Sequence, residues 1–355
     1  MIALAPMEGV VDAVVRDLWT RVGGYDYCFT EFIRVTNQLI PDHVFFRECP
    51  ELEIAFTHKK KSQTPSGTPV IVQLLGGDAD WVVPNAIRAV ELGSPGIDLN
   101  FGCPAPTVNR HDGGASLLQC PERLFTMISK VRAAIPTELP VSAKMRLGYM
   151  DPTLCLDNAR AVAAAGASHL TVHCRTKKQM YQPPVDWTWM PRIREVVDIP
   201  LVVNGDIWSA QDANQCRQIS GCTDMMIGRG ALGDPWLALK IKGQDQPQPE
   251  WPRLLSLLQT FQTECDRIGR TDRPGAFTSA RVKQMLRYFA RDQVDAKAAF
   301  ERIKVLKDAH EIREALAANA PTELAAGPHE RSFGFRHADG LDRFDAPSKV
   351  IQFQT

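Results

Sequence analysis

The chain has 355 residues, 44% of them hydrophobic, which suits one barrel-sized core with a modest appendage. Basic and acidic residues balance at 41 each, so net charge alone points to neither a nucleic acid nor a membrane. The nine cysteines never form C-x-x-C, which excludes a zinc ribbon or thioredoxin-type site; no metal is expected, and the odd, scattered thiols read as reduced in a cytoplasm.

The opening residues have neither a basic n-region nor a long apolar h-region, so no signal peptide is read. No apolar run reaches the ~18 residues of a membrane span.

Short apolar runs follow at 2–5, 25–32, 70–75, 96–100, 141–147, 169–173, 201–204 and 225–227. Rich in Val, Ile and Leu, they suit strands buried on both faces. The intervening stretches 81–92, 154–165 and 210–219 read as helices, each with a glycine (Gly93, Gly166, Gly221) just beyond its end for a left-handed cap. Eight such units predict a (β/α)₈ barrel over residues 1–242. The alternative, a doubly wound sheet, would show G-x-G-x-x-G after the first strand, where this chain has Ala5-Pro6-Met7-Glu8-Gly9. Residues 243–249 read as a linker. Residues 250–318 read as a helical domain with helices at 251–267, 279–291, 295–307 and 310–318, and residues 319–355 as a mobile tail.

Barrel chemistry sits at the C-terminal strand ends. Polar residues gather there: Gln73, Asn100, Lys144 with Arg146, His173 with Arg175, Asn204-Gly205-Asp206 and Gly228-Arg229-Gly230. One polar strand residue could snorkel outward. A set of six is hard to assign to chance, because a buried unpaired polar group costs about 1–3 kcal/mol. The paired glycine turns on the last two strands suit a phosphate-bearing cofactor, with Arg229 adding charge-assisted hydrogen bonds. Cys103, between Gly102 and Pro104 beside Asn100, could serve as a proton donor or as a nucleophile.

These motifs resemble the tRNA-dihydrouridine synthases, in the family's order and over roughly residues 1–318. They are Ala5 to Gly9, Asp98-Leu99-Asn100-Phe101-Gly102-Cys103-Pro104, Lys144-Met145-Arg146-Leu147-Gly148, His173-Cys174-Arg175-Thr176, Asn204-Gly205-Asp206 and Gly228-Arg229-Gly230. The stretches at 30–35 and 219–232 are most similar to the bacterial branch acting on uridine 16. The resemblance implies FMN as cofactor, NADPH as reductant and tRNA as partner. It implies reduction of the uridine C5–C6 double bond, with hydride from flavin N5 to C6 and a proton from Cys103 to C5. By carry-over, Pro6, Met7 and Glu8 line the flavin, and Gln73, Lys144 and His173 meet its ring. Asn204, Gly205, Asp206, Gly228 and Arg229 hold its phosphate end. The loop Ala105-Pro106-Thr107-Val108 departs from the family in lacking a basic residue near 106.

The stretch 279–307 carries eight basic and three acidic residues, a local +5. Beside a barrel resembling a tRNA-modifying enzyme it predicts RNA contact through Arg281, Lys283 and Arg302. Lys59-Lys60-Lys61 is a weaker second candidate. The flipped nucleotide would meet Asn100, Arg34 and Tyr181 at the mouth. A monomer is expected. Competing readings are an FMN barrel reducing a small pyrimidine or enone, a Schiff-base aldolase using Lys144, and a non-catalytic RNA-binding protein.

Overall fold

The computed structural model describes residues 1–268 and 275–318; the tail reading at 319–355 lies outside the described residues. Nine strands run in parallel: β1 (Ile2–Leu4), β2 (Tyr27–Phe29), β3 (Ile33–Arg34), β4 (Val70–Leu75), β5 (Ile97–Phe101), β6 (Val141–Gly148), β7 (Leu170–Thr176), β8 (Leu201–Asn204) and β9 (Met225–Ile227). β1 lies between β2 and β9, and β2 also pairs with β4, which closes the sheet. The expected (β/α)₈ barrel is therefore present.

The second apolar run differs from expectation in one respect. It forms two short strands, β2 against the base of β4 (Cys28↔Val70) and β3 against its top (Ile33↔Leu74). Where the ladder breaks, the Thr30 hydroxyl accepts the Gln73 backbone N–H at 3.0 Å. β2 and β3 are thus two halves of one barrel stave.

Inside, Ala3, Ala5, Tyr27, Phe29, Ile71, Val202 and Met226 form the barrel plug. The larger apolar core lies between strands and outer helices. The helices start and stop where local chemistry dictates. In Ala210–Ser220, the Ser209 hydroxyl caps the Asp212 N–H, and Gly221 (φ 63°) closes the far end in the left-handed region. Several helices escaped the sequence reading, among them Ala13–Val22, Pro50–His58 and Pro121–Ala134. Proline stands in the first turn of the last two, where no N–H is needed.

Beyond residue 250 the described structure is helical: Trp251–Ile268, Ala276–Phe289, Val294–Ile303 and Ala309–Ala317. This portion is docked on the barrel through Arg281. Its guanidinium donates to the carbonyls of Gly9 (3.0 Å) and Val10 (2.7 Å), pairs with Asp12 at 2.8 Å, and lies over the Phe261 ring.

Glu31 sits at this junction and accepts the Val10 N–H at 3.0 Å. Burial first, and Asp12 second, push its carboxyl up from 4.5 to about 7. Between those values the folded chain binds more protons than the unfolded one, so this contribution to stability is lost as pH rises toward and through 7. Glu31→Gln should therefore flatten the fall in unfolding midpoint over that window. A variant with the wild-type slope in urea titrations from pH 5 to 8 would reject this assignment.

Candidate active site at the barrel mouth

Parallel register sets the site. Gln73 is opposite Asp98, Asn100 opposite Lys144, Arg146 opposite His173, and His173 opposite Asn204. Register partners on parallel strands point to the same face, so the polar strand ends identified from sequence converge on one mouth.

Cys103 follows β5 and is 9% exposed. Its backbone N–H, like that of Gly102, donates to Asn100 Oδ1 at 2.9 Å. Its carbonyl accepts from Asn109 Nδ2 at 3.1 Å and from the Ala115 N–H at 3.1 Å. Burial pushes the thiol above its ordinary value, so it is protonated at neutral pH; the Ala105 backbone N–H, then Arg146 and Lys144, pull the other way. The thiol holds a proton, and the thiolate left after donation would meet two cations.

Burial first, and Arg146 second, push the Lys144 ammonium down to about 8. It has no hydrogen-bond or ion-pair partner among the described residues. Burial holds His173 well below its usual range, assisted by Arg146, Lys144, Arg175 and Arg229, so the imidazole is neutral. Asn204 is tied through Nδ2 to the Met226 carbonyl at 2.8 Å.

The two glycine turns pack against each other. A Cβ on Gly230 would lie 2.0 Å from the Ile207 carbonyl oxygen, and one on Gly205 (φ 123°) 2.8 Å from Val185. One on Gly228 would lie 3.3 Å from Met7 Sδ, which sets the Pro6-Met7-Glu8 turn against the end of β9. Asp206 is engaged by both Arg175 and Arg229. Its carboxylate is thus taken up by these two arginines and holds Arg229 beside the turn. The unpartnered Lys144 and this glycine-lined, arginine-flanked cradle fit a phosphate-bearing flavin.

Tyr181 stands over the mouth, 46% exposed, with Arg146 at 5.3 Å and Arg229 at 5.1 Å from its ring centroid. Arg34 reaches the Thr107 carbonyl at 3.3 Å, across the Cys103 loop. Asn100 has its oxygen and one N–H engaged within the site, leaving one N–H for a base edge.

Two expected RNA contacts need correcting. Arg281 is 7% exposed and spent on the docking described above. Lys283 is half-buried and donates to the carbonyls of Lys304 and Leu306, at the C-terminal end of the following helix Val294–Ile303. Arg281 is thus a docking residue that shares the Gly9 carbonyl with Gln284 Nε2, and Lys283 supplies donors to carbonyls at a helix end. Arg302 is exposed and has no partner among the described residues. Lys59 to Lys61 precede β4, at the end of the barrel opposite the mouth.

The dihydrouridine synthase (Dus) family model matches residues 3–324. The chain belongs to the dihydrouridine synthase family. It is 47% identical over 313 residues to the tRNA-dihydrouridine(16) synthase of Ralstonia nicotianae (strain ATCC BAA-1114 / GMI1000), covering 87% of this chain and 93% of that one. The enzyme of the same name from Escherichia coli (strain K12) is 46% identical over 318 residues, covering 89% and 98%. A solved 2-naphthoyl-CoA reductase complex shares the fold at TM-score 0.52 and 10% identity, covering 68% of this chain and 50% of that one.

In this dihydrouridine synthase family site two arginines placed at the strand ends from sequence, but given no role there, turn out to matter, and a third residue went unnoticed. Arg146 donates to the Gly102, Thr176 and Met180 carbonyls and so joins the Cys103 and Tyr181 loops. Its two-residue spacing from Lys144 puts both on one face of the strand. Arg175, two residues after His173, shares the face of its strand in the same way and engages Asp206. The Trp208 ring is contacted by the guanidinium groups of both Arg229 (5.0 Å) and Arg291 (3.5 Å); nothing in the sequence marks it.

Proposed function

We propose that this chain reduces the C5–C6 double bond of a uridine in tRNA, at position 16, to 5,6-dihydrouridine, with FMN as cofactor and NADPH as reductant. The observation that carries the reading is the convergence on one barrel mouth of a protonated Cys103 thiol and the unpartnered Lys144 ammonium. Family membership and the relatives' names support the substrate.

Bound FMN supplies the hydride for uridine C6. The chain's residues do the rest. Pro6, Met7, Glu8, Gln73 and His173 line the flavin. Lys144 offsets negative charge on it. Asn204, Gly205, Gly228 and Arg229 hold its phosphate end, while Asp206 keeps Arg229 aligned. Cys103 donates its proton to C5, a general acid step. Tyr181, Arg34 and the remaining Asn100 N–H receive the flipped nucleotide. Arg302 meets the phosphate backbone from the helical domain, residues 250–318, which follows a linker at 243–249. The protein acts as a cytoplasmic monomer; no helix among the described residues is long and apolar enough to cross a membrane.

The test is direct. Purified protein should release FMN on heating and, with NADPH, convert unmodified tRNA to a product carrying dihydrouridine at position 16 by nucleoside mass mapping. Arg229→Ala should weaken flavin retention by roughly 10- to 100-fold, the loss of a charge-assisted hydrogen bond of about 1.5–3 kcal/mol. Protein that holds no flavin after reconstitution, or an Arg229→Ala variant with unchanged affinity, counts against the reading.

A further inference from the structure

Asp98 is fully buried on β5, and its carboxylate is hydrogen-bonded to neutral partners: Gln73 Nε2 at 2.6 Å and Ser142 Oγ at 2.6 Å. Burying a carboxylate this way is costly, so its presence calls for an explanation in what it holds. The bonds continue beyond it. Gln73 Oε1 accepts from Asn100 Nδ2 at 2.7 Å, and Asn100 Oδ1 accepts the N–H groups of Gly102 and Cys103.

A primary amide can be turned end for end at little steric cost, because its N and O are nearly the same size. If Asn100 were turned, its NH₂ would face two N–H donors and the Cys103 loop would lose its anchor. A carboxylate only accepts, which removes that freedom. Gln73 must give it Nε2 and so offers Oε1 to Asn100. Asn100 must then give Nδ2 and so offers Oδ1 to the loop. We infer that Asp98 is a positioning residue: its acceptor oxygen fixes the polarity of the Asp98–Gln73–Asn100 relay and so holds the Cys103 loop in place. Burial pushes its carboxyl up only to about 6, with Ser142, Gln73 and Lys144 pulling it down, so it is mostly ionised at neutral pH. The consequence for turnover rests on the function proposed above; the geometric consequence does not.

The experiment compares Asp98→Ala with Asp98→Asn. Asparagine can still offer its oxygen to Gln73 and give its NH₂ to Ser142 Oγ, and only in that orientation does every donor of the relay, up to the Gly102 and Cys103 N–H groups, find an acceptor, so it keeps the polarity without the charge. Per bound flavin, Asp98→Ala should form dihydrouridine roughly 10- to 100-fold more slowly than wild type, through a misplaced acid. In the same protein, Cys103 should be alkylated by iodoacetamide several-fold faster, read by peptide mass. Asp98→Asn should recover most of both losses.

Wild-type turnover and alkylation in Asp98→Ala would overturn the inference. So would an Asp98→Asn variant as impaired as the alanine, which would make the charge the operative feature. If Asp98→Ala does not fold, Asp98→Asn decides alone: flavin retained but turnover slowed and Cys103 loosened would overturn it. If the wild-type protein forms no dihydrouridine, the proposed function fails, while the alkylation comparison still tests the relay.

Discussion

Cys103→Ala should retain its flavin and consume NADPH at the wild-type rate, yet form dihydrouridine about 10²–10⁴-fold more slowly, the usual cost of losing a general acid. The structure explains why this thiol suits the role. Burial keeps the proton on sulfur before the reaction, while Lys144 and Arg146 favour the thiolate that remains after donation. Alanine removes the acid but leaves the loop anchored, because both Asn100 Oδ1 bonds go to backbone N–H groups. Single-turnover assays with unmodified tRNA, beside NADPH consumption without tRNA, separate the two activities. Loss of flavin from the variant would make Cys103 structural, and turnover at the wild-type rate would move the acid to another group.

Arg281→Ala should destabilise the fold by about 3 kcal/mol rather than simply weaken RNA binding. It removes one partner of a mostly buried ion pair and leaves the Gly9 and Val10 carbonyls without this donor. Gly9 and Val10 adjoin Met7 and Glu8, so flavin retention should fall with it. Arg302→Ala makes the contrast. It should leave the denaturation midpoint unchanged, weaken tRNA binding, and reduce the salt slope by about 1, as expected for one lost phosphate contact. The pair is resolved by chemical denaturation and by tRNA titration at several salt concentrations. If Arg281→Ala unfolds like wild type and loses only salt-dependent RNA affinity, the docking role is wrong.

The contrast between these two arginines also marks how far sequence alone could go. Short apolar runs located the barrel strands because a stave buried on both faces must be apolar nearly throughout. The motif residues fell mostly toward strand ends, and the polar groups deeper in the staves, Asp98, Gln73 and Ser142, are buried only because they satisfy one another. Basic residues at near-helical intervals carry no such constraint. Arg281 looked like part of a solvated stripe, although it shares the buried face of its helix with Val282, Met285 and Phe289. What satisfies it lies more than 270 residues away, at Gly9 and Val10. Asp206 shows the same limit. The Asn-Gly-Asp motif placed it at the cofactor's end of the barrel, but only the fold shows its carboxylate occupied by Arg175 and Arg229. The interruption between β2 and β3 was hidden because Thr30 supplies a ladder acceptor from its side chain, which no apolar pattern records.

One short turn serves two masters. The chain from Pro6 to Asp12 faces the proposed flavin with its first half and grips Arg281 with its second. The helical portion is therefore no interchangeable attachment. Grafting it from another member of the family would transplant the surface proposed to meet RNA together with a demand on the turn that lines the proposed catalytic pocket. A chimera would need residues 6–12 and the helix Ala276–Phe289 to travel as a matched set, with the junction in residues 243–249 the least important part of the exchange.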